Sequence, residues 1–92
     1  MAQKRISGIV SGRVQGVGFR YFTREIALRC HLTGWVRNLH NGDVAFEAQG
    51  DEEGIAKFYE RLIEGPSFGQ VADCNVNEAE VVPEENSFKI RY

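Results

Sequence analysis

The chain has 92 residues, 42% of them hydrophobic and 26% charged, with two prolines and no biased tract, so it has the composition of one ordinary globular unit and not of a disordered, collagen-like or fibrous protein. Eleven Lys and Arg against 13 Asp and Glu give a net charge of -2. That balance lacks the strong positive field that non-specific phosphate-backbone binding needs, so nucleic acid is not expected as a partner.

No apolar run approaches the roughly 20 residues that span a bilayer, and the opening Met-Ala-Gln-Lys-Arg leads into a strand-like segment without a signal-peptide core. The expectation is a single cytoplasmic domain over residues 1–92, monomeric and with no membrane partner. Cys30 and Cys74 are too few for a disulfide framework and stand in no metal-ligand spacing. Two buried thiols are expected in a reducing compartment, with a bridge left open because sequence does not fix their separation.

Residues 6–14 mix Ile6, Ile9, Val10 and Val14 with Ser and Gly and predict a first strand that stops at a glycine-rich stretch. From 19 to 31 the alternation gives way to helical spacing, with Phe19, Phe22, Ile26 and Cys30 on one face and Glu25 and Arg29 as an i,i+4 pair. His31 falls where a helix C-terminus favours a cation. Residues 33–40 and 43–50 form two short runs around Asn41-Gly42, a dipeptide suited to a type I′ hairpin turn. Asp51 is placed to cap a second helix, Glu52 and Glu53 suit its first turn, and Ile55, Phe58, Tyr59, Leu62 and Ile63 make its apolar stripe. Gly65-Pro66 ends it. Residues 71–82 predict a strand with an irregularity, Glu84 and Glu85 after Pro83 a polar turn, and Phe88, Ile90 and Tyr92 a short terminal strand.

The order is β-α-β-β-α-β plus a short final strand, the split βαβ or ferredoxin-like α+β sandwich, with two helices on one face of an antiparallel sheet. The fold alone decides no activity. In this topology the first and second strands are parallel, with the third between them, and end on the same edge. The first leads into Gln15-Gly16-Val17-Gly18-Phe19-Arg20, and the second carries Arg37-Asn38.

Two glycines before a helix start let several backbone N–H groups converge, and the helix dipole adds positive charge there. Arg20 in the first turn supplies a formal charge and a bidentate grip on phosphoryl oxygens. Asn38 offers a donor and an acceptor without charge, which suits holding a water beside an anion. The plainer alternative is that the glycines only turn the chain and Arg20 is solvated, since neither GxGxxG nor a Walker lysine is present.

The run from Val10 to Arg20, Val-Ser-Gly-Arg-Val-Gln-Gly-Val-Gly-Phe-Arg, resembles the first signature of the acylphosphatase family. Gly34-Trp35-Val36-Arg37-Asn38, with Gly42, Val44 and Gly50 following, resembles the second, and Phe88-Lys89-Ile90-Arg91-Tyr92 the family's C-terminus. The similarity covers essentially the whole chain, with no departure at a motif position. It implies hydrolysis of small-molecule acyl phosphates to carboxylate and inorganic phosphate, with no metal and no cofactor. It also implies that Arg20 and the backbone of Gln15, Gly16, Val17, Gly18 and Phe19 hold the phosphate while Asn38 positions the attacking water.

The remaining candidates have simpler readings. His31 and His40 have no partnered nucleophile or carboxylate at recognisable spacing and read as surface histidines. Trp35 and Arg37 share the sheet face opposite Val36 and Asn38, where Trp35 is expected to pack and Arg37 to be solvated. Asp51, Glu52 and Glu53 read as caps and not as a metal site. Two rival functions stand beside the enzyme: an anion-sensing domain with the same cradle, and an RNA-binding module of the same strand order, for which Gly16-Val17-Gly18-Phe19 echoes a known motif but precedes a helix.

Overall fold

In the computed structural model, which describes residues 3–92, the chain runs β1 (Lys4–Arg13), α1 (Phe19–Arg29), β2 (Thr33–Asn38), β3 (Val44–Gly50), α2 (Glu52–Glu64), β4 (Gln70–Ala79) and β5 (Phe88–Arg91). The strands form one sheet in the order β4-β1-β3-β2-β5. β3 pairs antiparallel with both β1 and β2, so those two strands run parallel and bring their ends to one edge, as the split βαβ order requires. The short final strand joins β2 in parallel, with Gly34 opposite Phe88 and Arg37 opposite Arg91, which makes the five-stranded sheet mixed.

Val10, Val14, Val36, Val44, Phe46 and Ala48 point to the helix-bearing face and meet Phe19, Ile26 and Ala27 of α1 and Ile55, Phe58 and Leu62 of α2 in one core. The Phe46 and Phe58 rings meet edge to face at 5.5 Å between centroids, a geometry favoured by the ring quadrupoles. The expected irregularity is a bulge on β4: Ser11 pairs with Asp73 but Gly12 with Val71, which leaves Ala72 as the extra residue.

Two local expectations need correction. Asn41 does not take the positive φ that a type I′ turn demands; only Gly42 does, at 97°. The Leu39 N–H donates to the Asp43 carbonyl and the Gly42 N–H to the Leu39 carbonyl, so the connection is a three-residue loop with glycine at the left-handed position. Likewise α1 ends at Arg29, not at residue 31, because His31 adopts φ 59. Its N–H donates to the Leu28 carbonyl, and the Leu32 N–H donates to the Ala27 carbonyl. This is a Schellman cap built on a non-glycine residue.

The open sheet face is partly covered by the segment between β4 and β5. Arg5, 2% exposed, donates to Glu47 (2.7 Å), Gln49 (3.0 Å) and Glu85 (2.8 Å). Glu85, expected only as part of a polar turn, is therefore an ion-pair partner of a buried arginine. Among the described residues no helix is long and apolar enough to cross a membrane.

Candidate active site

The two helices begin differently, and the difference makes the site. Asp51 caps α2, accepting from the Gly54 N–H at 2.8 Å, with Glu52 and Glu53 in its first turn. α1 has neither: its N-cap is Gly18, no side chain caps it, and no acidic residue stands in its first turn. Its first-turn N–H groups have no intrahelical partner, and the positive end of its dipole is not neutralised. Gly16 and Gly18 both take φ 75. A Cβ at either position would meet nothing within 4 Å, so the left-handed backbone, not crowding, is what favours glycine there.

Around this helix start lies a cavity of about 170 Å³ lined by Gly16, Gly18, Phe19, Arg20 and Asn38 together with Val14 and Tyr21. The fold thus brings Arg20 and Asn38 to one concavity, as the shared strand edge predicts. Arg20 is half-buried. Its guanidinium donates to the Arg91 carbonyl at 3.2 Å and stands 4.7 Å from the centre of the Tyr92 ring. The neighbouring Tyr21 hydroxyl raises the Tyr92 phenol above its ordinary pKa, against an opposing pull from Arg20, so the ring beside the cavity carries no charge at neutral pH.

Gln15 and Val17, named with the loop, do not line this cavity. The Gln15 amide donates to the Leu39 and Asp43 carbonyls, both at 2.7 Å, and so ties the loop after β1 to the β2–β3 connection. Val17 packs against the core. In the second motif, Gly34 has φ 144 and a Cβ there would run into the Glu47 carbonyl oxygen; this glycine permits close strand approach and stands apart from the chemistry.

His31 is an exposed helix cap, while exposed His40 lines a second depression beside Asn38. Trp35 packs on the open face, with the Arg37 and Arg91 guanidiniums 5.6 and 5.0 Å from its ring. Gly16-Val17-Gly18 forms the loop before α1 and lies on no strand, unlike the strand-borne aromatics of RNA-binding sheets. Three site features went unread in the sequence: Tyr21, the Arg91 carbonyl and the Tyr92 ring. The alternation of the terminal strand was visible, but only its parallel pairing with β2 brings it to Arg20.

Comparison with known proteins agrees with this geometry. The family model described as Acylphosphatase matches residues 6–90, from β1 into β5. The chain belongs to the acylphosphatase family. An acylphosphatase of Geobacillus thermodenitrificans is 45% identical over 89 residues, 97% of this chain and 95% of the relative. The crystal structure of acylphosphatase from Bacillus subtilis superposes with a TM-score of 0.92 at 39% identity, covering 97% of this chain and 99% of that one. An acylphosphatase structure from Coxiella burnetii gives 0.90 at 42% identity, with 97% and 93% covered. The acylphosphatase match spans the uncapped start of α1 and the end of β2, the two segments that meet in the cavity.

Proposed function

We propose that the chain hydrolyses acyl phosphates to a carboxylate and inorganic phosphate, with the phosphoryl group held by the backbone from Gln15 to Phe19 and by Arg20, and the attacking water held by Asn38. Family membership supports the reaction, and the single observation that carries the residue roles is the cavity shared by Gly16, Gly18, Arg20 and Asn38 at a helix start without a cap.

The chemistry asks little more of the protein. A carboxylate leaves readily, so no general acid is required, and phosphoryl transfer is accelerated chiefly by positioning and by neutralising charge on the transferred oxygens. The water oxygen attacks phosphorus, and the bond from phosphorus to the acyl oxygen breaks with its electron pair going to the carboxylate. A phosphoryl oxygen takes the water's proton. Asn38 orients the water without adding the negative charge that a carboxylate base would place beside the phosphate.

The same proposal takes the protein as a cytoplasmic monomer acting on small molecules, with no nucleic-acid partner. One chain supplies every site residue, and both cysteines are free. Burial, helped by Asp73, pushes the Cys74 thiol up to about 11, so it stays protonated and unreactive at neutral pH. The direct test is incubation with benzoyl phosphate, which is expected to yield benzoate and inorganic phosphate in equal amounts. Phosphate binding with no turnover by folded protein would convert the assignment to an anion-binding domain.

A further inference from the structure

Beside the phosphate cavity lies a second, larger depression of about 470 Å³. It shares Asn38 with the first, and Tyr92, whose ring packs on the Arg20 guanidinium, forms part of its wall. A group attached to a phosphoryl held at Arg20 would extend toward this depression along the strand ends that carry Asn38 and Tyr92. Its remaining lining is Gln15, Arg37, Leu39 and His40.

The charge in this depression is one-sided. Arg37 is exposed and forms no salt bridge among the described residues, and no acidic side chain lines the wall. Gln15 is already committed to the Leu39 and Asp43 carbonyls. Arg20 is spoken for by the phosphoryl group in the proposed function. Arg37, its guanidinium resting 5.6 Å from the centre of the Trp35 ring, is left as a cation without an acidic partner on the wall of this depression, in a chain whose net charge is -2.

We infer that this depression is the acyl-arm subsite and that Arg37 gives the enzyme a preference for acyl phosphates whose acyl arm carries a second negative charge, such as a terminal carboxylate. The inference deepens the proposed function and rests on it. A guanidinium meets a carboxylate through two parallel N–H donors. Because Arg37 is exposed, the gain is that of a solvated ion pair and not of a buried one, and it is screened by salt.

The test compares succinyl phosphate with butyryl phosphate, which have four-carbon arms with and without the terminal carboxylate. Wild type, Arg37→Gln, Arg37→Lys and Lys89→Gln are each assayed with both substrates at low and high salt. In wild type the ratio of kcat/KM for succinyl phosphate to that for butyryl phosphate is expected to exceed one and to shrink at high salt. Arg37→Gln lowers this ratio roughly three- to fivefold, chiefly through KM for succinyl phosphate, and Arg37→Lys retains most of it.

Lys89→Gln removes a cation on the strand beside Arg37, outside the depression, and leaves the ratio unchanged. A ratio unaffected by Arg37→Gln, or lowered equally by Lys89→Gln, overturns the inference while turnover of butyryl phosphate keeps the proposed function standing. No turnover of either substrate by folded wild type overturns both.

Discussion

The Arg20 guanidinium donates to the backbone carbonyl of Arg91, 71 positions further along the chain, at 3.2 Å. β5 pairs in parallel with β2, the strand that ends in Asn38. One pairing therefore helps position both Asn38 and Arg20, the two residues to which the proposed function gives the water and the phosphate. Tyr92, the next residue, lays its ring 4.7 Å from the same guanidinium.

Removing that ring loosens Arg20 without touching its charge. Tyr92→Leu is expected to lower kcat/KM for benzoyl phosphate roughly two- to fivefold, the range for an exposed cation–π contact. The loss falls mostly on KM, since in the proposed function Arg20 binds the ground-state phosphate as well. Steady-state kinetics of the variant beside wild type check this, and an unchanged KM would show that the ring does not restrain Arg20.

A second prediction concerns acid stability. Burial works against ionisation of Glu85, but the hydrogen bond and charge of Arg5, with help from Thr33 and Arg91, outweigh it and hold the carboxyl below its ordinary value. A depressed folded-state pKa stabilises the fold at pH above the unfolded value, here about 4.5, and that stability is lost as pH falls through the folded value. Glu85→Gln is expected to cost about 1–3 kcal/mol at neutral pH, because it leaves the Arg5 charge less well paired. It also flattens the decline below about pH 4.5. Urea denaturation of both proteins at pH 7 and at about pH 3.5 measures both effects.

The contrast between these two regions shows what the sequence made legible. The proposed phosphate loop was readable because its chemistry is local: two glycines, a helix start and Arg20 lie within a few residues. Asn38 followed from topology, since the split βαβ order alone puts the ends of β1 and β2 on one edge. Arg91 acts through a main-chain carbonyl, which has no residue signature, and Glu85 acts on an arginine 80 positions away. The Asn41-Gly42 dipeptide fits more than one turn. The pairing of Leu39 with Asp43, fixed further by the Gln15 amide, selected the three-residue loop.

His31 yields a stability prediction of the opposite sign. It holds φ 59 at the end of α1, a conformation that costs an L-residue about 1–2 kcal/mol. Glycine avoids that cost but loses about 0.5–1 kcal/mol in chain entropy. His31→Gly is therefore expected to stabilise the protein by about 0.5–1 kcal/mol with activity unaltered, since the residue lies outside the site. A raised denaturation midpoint at constant m-value confirms it, and a lowered midpoint would mean that the imidazole makes a favourable interaction at the helix end.

The central claim is the division of labour between Arg20 and Asn38, and the most direct measurement is benzoyl phosphate hydrolysis in excess EDTA by wild type, Asn38→Ala and Arg20→Gln, with inorganic phosphate as competitive inhibitor. Wild type is expected to turn over. Asn38→Ala is expected to lose about a hundredfold or more in kcat while phosphate still inhibits it with nearly the wild-type constant. Arg20→Gln is expected to lose both phosphate inhibition and nearly all turnover. Wild-type turnover by Arg20→Gln, or an Asn38→Ala enzyme with normal kcat and only a raised KM, would contradict the account.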